Sequence, residues 1–317
     1  MTRLEQGTGE SPRDNSGTIP GTPDRPVYSF SAPQPSAVPI LIAVPHAGRD
    51  YPAGIAERMR HPRAAALRLE DRYADLLGEA VAQRTGAALL VAHAPRAMID
   101  LNRATDDVDW EMFGHGNEGV GARPIGLRAR SGLGLVPRRL PGLGEIWKQR
   151  HDEAELAERI TAIYEPYHAR LARELARLRA RWGGALLIDL HSMPPLGLRG
   201  SHPPSQFVIG DRFGASCGGS LIAAAFGFFA EKRRQAGHNR PYAGGYVLDR
   251  HAAPHEGVHA LQLEIDRSCY LDRALAEPGP GLAAMVDLLA ELVDRLAGRV
   301  AEIGRDGDGR RWAIAAE

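Results

Sequence analysis

Lysine is almost absent from this chain: only Lys148 and Lys232 occur, and every other basic side chain apart from histidine is arginine. The planar guanidinium fork suits carboxylate recognition, but an arginine excess spread over the whole chain marks no single site. Cysteine is equally scarce. Cys217 and Cys269 form no C-x-x-C or zinc-ribbon spacing, which argues against a disulfide framework and a thiolate metal centre and fits a reducing cytoplasm. Long apolar runs are missing too. The longest, LIAAAFGFFA at 221–230, is about half of the ~20 residues a bilayer-spanning helix needs, so no membrane span is expected. Nor does one charge dominate: 39 basic residues face 39 acidic ones, which removes the main reason to expect a nucleic acid as partner.

What is there suits one large α/β domain. The chain has 317 residues, 44% hydrophobic and 25% charged, enough to bury a sizeable core. The first thirty residues are rich in Gly, Pro, Ser and charge and lack the apolar centre of a secretion signal. Residues 1–30 are therefore expected to be a disordered or loosely attached leader, 31–305 a single catalytic domain, and 306–317 a C-terminal tail.

AVPILIAVPHAG starts with Val, Ile and Leu and breaks at Pro45, which predicts a central strand opening into a loop that carries His46. Between Arg72 and Arg84 apolar residues recur at Tyr73, Leu76, Leu77, Ala80 and Val81, a helical period stopped by Thr85-Gly86. Asp71 thus sits at or just before a helix start. AALLVAH is a second buried strand, and AMIDLNR a short one ending in Asp100, Asn102 and Arg103. Residues 104–150 hold nine glycines and no sustained period; loops of that length usually cover a site or stay disordered. A helical pattern from His151 to Trp182 is interrupted at Pro166.

Then come the strand ALLIDLHS, the strand QFVIG, a helix around 218–235, the turn-rich HNRPYAGGY, the strand HALQLEI, and a closing helix from about Gly281 to Val300. Alternating strands and helices imply a mostly parallel sheet covered on both faces. In such folds reactive groups gather beyond the carboxyl ends of the strands, so one crevice is expected to hold His46, Asn102, Arg103, His191 and Glu264.

Two imidazoles, His46 and His191, and the carboxylate of Asp71 make a catalytic-zinc set that leaves a fourth position open for water. Asp189, two residues before His191 on the same strand face, either holds that imidazole in its ligating tautomer or bonds neighbouring backbone. Asp71 is equally readable as a plain helix N-cap. In ALQLEI, alternation puts Gln262 and Glu264 on one face. Glu264 is then a general base, or else the strand lies at an edge and both polar residues face water. Arg96, Asn102 and Arg103 suit capture of a small anion, although each arginine is also an ordinary surface residue by composition. Gly244-Gly245 before Tyr246 permits a tight turn or a close backbone approach to a ligand. His168, in YEPYH, is expected to be a packed histidine.

VPHAG, EDRYADLL, RAMIDLNR, YEPYH, IDLHSMP, FVIGDRFG, NRPYAGGY and HALQLEI, in this order from about Val38 to Tyr270, resemble the N-formylglutamate amidohydrolase family, a distant relative of the zinc carboxypeptidases. The resemblance implies a three-layer α/β/α sandwich around a mixed, mostly parallel sheet, one catalytic Zn²⁺ or another divalent ion, and hydrolysis of a small anionic N-acyl amino acid. It assigns His46, Asp71 and His191 as metal ligands and Glu264 as the base. Arg96 is expected at the scissile carbonyl, with Asn102, Arg103, Gly245 and Tyr246 binding substrate. The carboxypeptidase pattern has a glutamate three residues after its first histidine, where this chain has Arg49. Glu70 and Asp50 therefore stay open as alternatives to Asp71. Another N-acyl amino acid or a short peptide is the second substrate expectation, and a non-catalytic small-acid binder the third.

Overall fold

The computed structural model describes residues 16–113, 125–197 and 204–314, with side chains as far as 305. In chain order the elements are β1 (Tyr28–Ser31), β2 (Ile40–Val44), α1 (Ala53–Arg58), α2 (Pro62–Leu69), α3 (Ala74–Thr85) and β3 (Ala88–Ala92). Next are α4 (Leu127–Arg130), β4 (Arg139–Leu140), β5 (Gly144–Glu145), α5 (Glu153–Arg159), α6 (Glu165–Trp182) and β6 (Ala185–Met193). The last are β7 (Phe207–Gly210), α7 (Gly219–Glu231), β8 (Ala236–His238), α8 (Tyr246–His251), β9 (Val258–Asp266) and α9 (Leu282–Ile314).

Seven strands form one sheet in the order β1-β3-β2-β6-β9-β7-β8. The central strands β3, β2, β6 and β9 are mutually parallel, whereas β1 runs against β3 and β7 against β9. Every residue of β2, β6 and β9 is buried, as strands covered on both faces are, although β9 alternates apolar with polar residues. Alternation sends Leu41, Ala43 and Leu187 into a core with α1, α2, α5 and α6, and Ile40, Ile42 and Ile188 into a second core with α3, α7 and α9. The result is the expected α/β/α layering around a mixed sheet.

Several boundaries differ from expectation. Half of the 1–30 leader lies outside the described residues, but Ile19, Val27 and Tyr28 are buried and Tyr28–Ser31 pair with β3, so the loosely attached reading does not extend to this part. Three apolar side chains reaching the core outweigh the local proline content. AMIDLNR is not a strand. The Asp100 carboxylate accepts from Asn102 N–H (2.9 Å) and the Asp100 carbonyl from Arg103 N–H (3.2 Å), so local bonds to Asp100 make turns instead.

Pro166 does not break its helix. It sits in the first turn of α6, where a missing N–H is tolerated, and a π turn at Ile160–Tyr164 joins α5 to α6. The helix α9 continues past Val300, through the expected end of the domain, to Ile314. In 104–150, residues 114–124 lie outside the described residues. The described part is packed: Met112, Phe113, Leu135, Val136, Ile146 and Trp147 are buried, and Asp100 N–H donates to Leu135 O (2.7 Å).

Candidate active site

Val44 ends β2, and two residues later His46 stands at the carboxyl edge of the sheet; its carbonyl accepts from Asp71 N–H at 2.9 Å. Asp71 reaches the same place through a tight turn before α3, in which Tyr73 takes a left-handed conformation (φ 58°). Such a backbone costs a bulky residue about 1–3 kcal/mol, and here the turn aims the Asp71 carboxylate at the sheet. The N-cap alternative is excluded, because the Asp71 carbonyl, not its carboxylate, accepts from Ala74 N–H. His191 and Glu264 are partners in register on the adjacent parallel strands β6 and β9. An edge position for β9 is excluded too: it lies between β6 and β7, and Glu264 is buried.

His46, Asp71 and His191 converge, all buried, with one donor atom of each within 4.8 Å of the others. Asp71 Oδ2 lies 2.9 Å from His191 Nδ1 and 3.4 Å from His46 Nδ1. Adjacent ligands of a tetrahedral Zn²⁺ stand about 3.3 Å apart, given bond lengths of about 2.0–2.1 Å, so these spacings fit such an ion. Each imidazole is backed by a carboxylate at its other nitrogen: His46 Nε2 by Asp100 Oδ1 and His191 Nε2 by Asp189 Oδ2, both at 2.8 Å. An ionised carboxylate only accepts, so each Nε2 carries the proton and each Nδ1 is the nitrogen left for a cation. Asp189 thus bonds the imidazole, the first of its two expected readings. His46 Nδ1 is buried without a hydrogen-bond partner among the described residues, the state expected of a ligand atom. Of the alternatives, Asp50 is exposed and pairs with Arg25, and Glu70 pairs with Arg72 at 2.8 Å.

The electrostatics match this geometry. Burial opposes charge on Asp71, yet the imidazoles of His191 and His46 outweigh it and hold the carboxyl well below its usual range. Burial likewise opposes protonation of His191, but Asp189 and Asp71 on either side hold its pKa well above the ordinary value. Asp100 is held well below the usual range against its burial by Arg96, Arg103 and His46. Burial pushes the Glu264 carboxyl up to about 7, and Asp71 and Asp189 add to the rise against His191 and Arg96. Gln262 Nε2 donates to Glu264 Oε1 at 2.7 Å.

The remaining expected residues divide. Arg96 is in the cluster: Nε and Nη2 hold Asp100 Oδ2, both at 2.9 Å, while Nη1 makes only a 3.5 Å contact to Leu69 O. Asn102 is also there, but fully engaged. Its Nδ2 lies 3.3 Å from Asp189 Oδ2 and Gln262 Oε1, and its Oδ1 accepts from Val247 N–H at 2.9 Å. With both ends occupied it braces four segments and has little capacity left for substrate, contrary to expectation. Arg103 donates to Leu133 O (2.8 Å) and Asn102 O (2.7 Å), and Asp100 Oδ2 is 3.9 Å away. Burial lowers its proton affinity, Asp100 and Asp107 oppose the fall, and Arg96 and Arg128 add to it.

Gly245 makes a close approach to Asn102, not to a free pocket: a Cβ there would stand 2.3 Å from Asn102 Oδ1. Gly245→Ala is accordingly expected to displace the brace and lower kcat/KM on the order of 10²-fold with an unchanged circular dichroism spectrum, as measured by steady-state kinetics. Tyr246 packs edge-on against His168, ring centroids 6.2 Å apart. Tyr242, four residues earlier in the same motif, is within electrostatic reach of the site: its hydroxyl pKa is raised by burial and by Glu264 and also responds to Arg267, Asp71 and Arg96. Sequence reading missed roles for Tyr242, Asp100, Ser192 and Arg267; polar residues at strand ends were the available signal for Ser192 and Arg267 only. Cys217 and Cys269 are free thiols, and no helix among the described residues is long and apolar enough to cross a membrane.

Residues 38–271 match the family model described as N-formylglutamate amidohydrolase. An N-formylglutamate deformylase of Pseudomonas aeruginosa is 32% identical over 250 residues, covering 74% of this chain and 83% of the relative. One of Pseudomonas putida is 31% identical over 242 residues, covering 74% and 82%. The crystal structure of N-formylglutamate amidohydrolase from Ralstonia eutropha superposes with a TM-score of 0.76 at 31% identity, covering 88% of this chain and 99% of that one.

Proposed function

The chain belongs to the N-formylglutamate amidohydrolase family, and on that premise we propose that it hydrolyses N-formyl-L-glutamate to formate and L-glutamate at a single divalent metal ion, with zinc as the native ion. The observation that carries the metal is the buried His46 Nδ1, without a hydrogen-bond partner among the described residues and 3.4 Å from Asp71 Oδ2, beside His191 Nδ1. When bound there, zinc lowers the pKa of water and polarises a carbonyl. His46, Asp71 and His191 hold the ion, and Asp100 and Asp189 fix the imidazole tautomers. Glu264 takes a proton from the attacking water, whose oxygen bonds to the formyl carbon, and passes it to the nitrogen as the C–N bond breaks. Arg96, through its weakly engaged Nη1, faces the developing oxyanion. Arg103 binds a substrate carboxylate from the edge of the cluster, where Leu133 O and Asn102 O orient its guanidinium.

Metal content of the purified protein, measured together with formate release, tests this reading. One zinc per chain is expected, with turnover of N-formyl-L-glutamate that disappears on chelation and returns with zinc. Full turnover by chelator-stripped protein overturns the metal role. Preference for N-acetylglutamate or N-formylaspartate overturns the substrate and leaves the chemistry.

A further inference from the structure

Asp71 has two carboxylate oxygens, and only one of them faces the histidines. Oδ2 lies beside His191 Nδ1 and His46 Nδ1, whereas Oδ1 accepts from Ser192 Oγ at 2.9 Å and from Arg267 Nη2 at 3.4 Å. Arg267 Nε donates to Ser192 Oγ at 3.0 Å. The serine oxygen is therefore occupied as an acceptor, and its own proton is directed onto Asp71. Arg267 is anchored in turn by Leu67 O (3.0 Å) and Glu70 O (2.5 Å), carbonyls at the end of α2 and just before Asp71. Ser192 and Arg267 are both buried.

We infer that Ser192 and Arg267 are positioning residues that clamp Oδ1 of Asp71, restrict this carboxylate to a single oxygen at the metal, and so keep the fourth coordination position open for water and substrate. The inference rests on the metal reading above. An unclamped carboxylate takes a cation through one oxygen or two, and a second oxygen at the ion crowds the water position by raising the coordination number to five. Larger ions accept bidentate carboxylates readily, so the clamp also favours small first-row ions. Arg267 alone admits a simpler account as a cap on the α2 carbonyls. Ser192 separates the two, because its hydroxyl bonds Asp71 and Arg267 and no α2 carbonyl.

The test uses full-length protein reconstituted with cobalt(II), as wild type, Ser192→Ala and Arg267→Lys, with zinc and cadmium affinities from chelator competition. For Ser192→Ala the expected results are a weaker visible cobalt absorption, as four-coordinate gives way to five-coordinate metal, and zinc affinity lower by roughly 10- to 100-fold. Cadmium affinity should fall less than zinc affinity. Wild-type cobalt spectra and zinc affinity in Ser192→Ala overturn the clamp while the metal reading stands. Failure of the wild type to take up one cobalt per chain overturns both. If Arg267→Lys does not fold, Ser192→Ala decides the matter alone.

Discussion

Glu264→Gln is expected to lower kcat on the order of 10³-fold while the protein keeps its full complement of metal. The carboxyl belongs to a fully buried strand and makes none of the contacts that hold His46, Asp71 and His191 together. Glutamine fills the same volume and still meets the Gln262 side chain, so the fold has no reason to change. What it loses is the capacity to accept a proton. Burial places the carboxyl at about 7 in the metal-free protein, and a bound dication lowers that value. The wild-type kcat/KM should therefore rise with pH along an acidic limb at or below pH 7, which the variant lacks. A variant that retains wild-type kcat, or the same acidic limb, removes Glu264 from the reaction.

His191→Ala should abolish both turnover and stoichiometric zinc. It should also destabilise the metal-free protein by about 3–5 kcal/mol, because Asp71 and Asp189 are then left buried without their shared cation. The signs of the two pKa shifts define where that loss is visible. His191 is raised, so its contribution is fully present below the unfolded value of 6.5 and is lost as pH rises through the higher folded value. Asp71 is depressed, so its contribution is present above the unfolded value of 3.8 and is lost as pH falls through the lower folded one. The metal-free wild type should thus exceed the variant most between these limits, measured by denaturant unfolding across pH. Zinc loading of the wild type should release at least one proton, that of His191, since the ligand must be neutral. Calorimetry in buffers of different ionisation enthalpy reads this directly, and zero proton release contradicts the assignment.

Much of this site was legible because its signals are local. An apolar run that ends in histidine, as at VPHAG and LLIDLHS, marks both a central strand and the side chain it delivers. Alternation alone separated Leu261 and Leu263 from Gln262 and Glu264, and Asp189 was visible as the neighbour of His191 on one strand face. What stayed hidden depends on pairing across the chain. Asp100 meets His46 from 54 residues away, and Arg267 meets Asp71 from 196. No spacing rule spans such separations. The short edge strand β1 was lost among prolines, since its pairing with β3 is also a distant contact. In NRPYAGGY both tyrosines follow turn residues, and only the folded loop separates them: Tyr246 packs on His168, and Tyr242 lies within reach of the Glu264 charge.

Two neighbouring strands of one sheet carry His191 and Glu264 opposite each other, joined by the backbone ladder of β6 and β9. Parallel chains in a sheet sit about 4.8 Å apart and cannot slide without breaking that ladder. The spacing between these two groups is consequently a fixed quantity of the scaffold, indifferent to loop breathing. Control over turnover must then come from what enters and leaves the cleft. Changes in the 104–150 segment that spare Leu133 and Leu135, whose carbonyls hold Arg103 and Asp100, should alter substrate preference and release rates while the intrinsic chemical step stays constant.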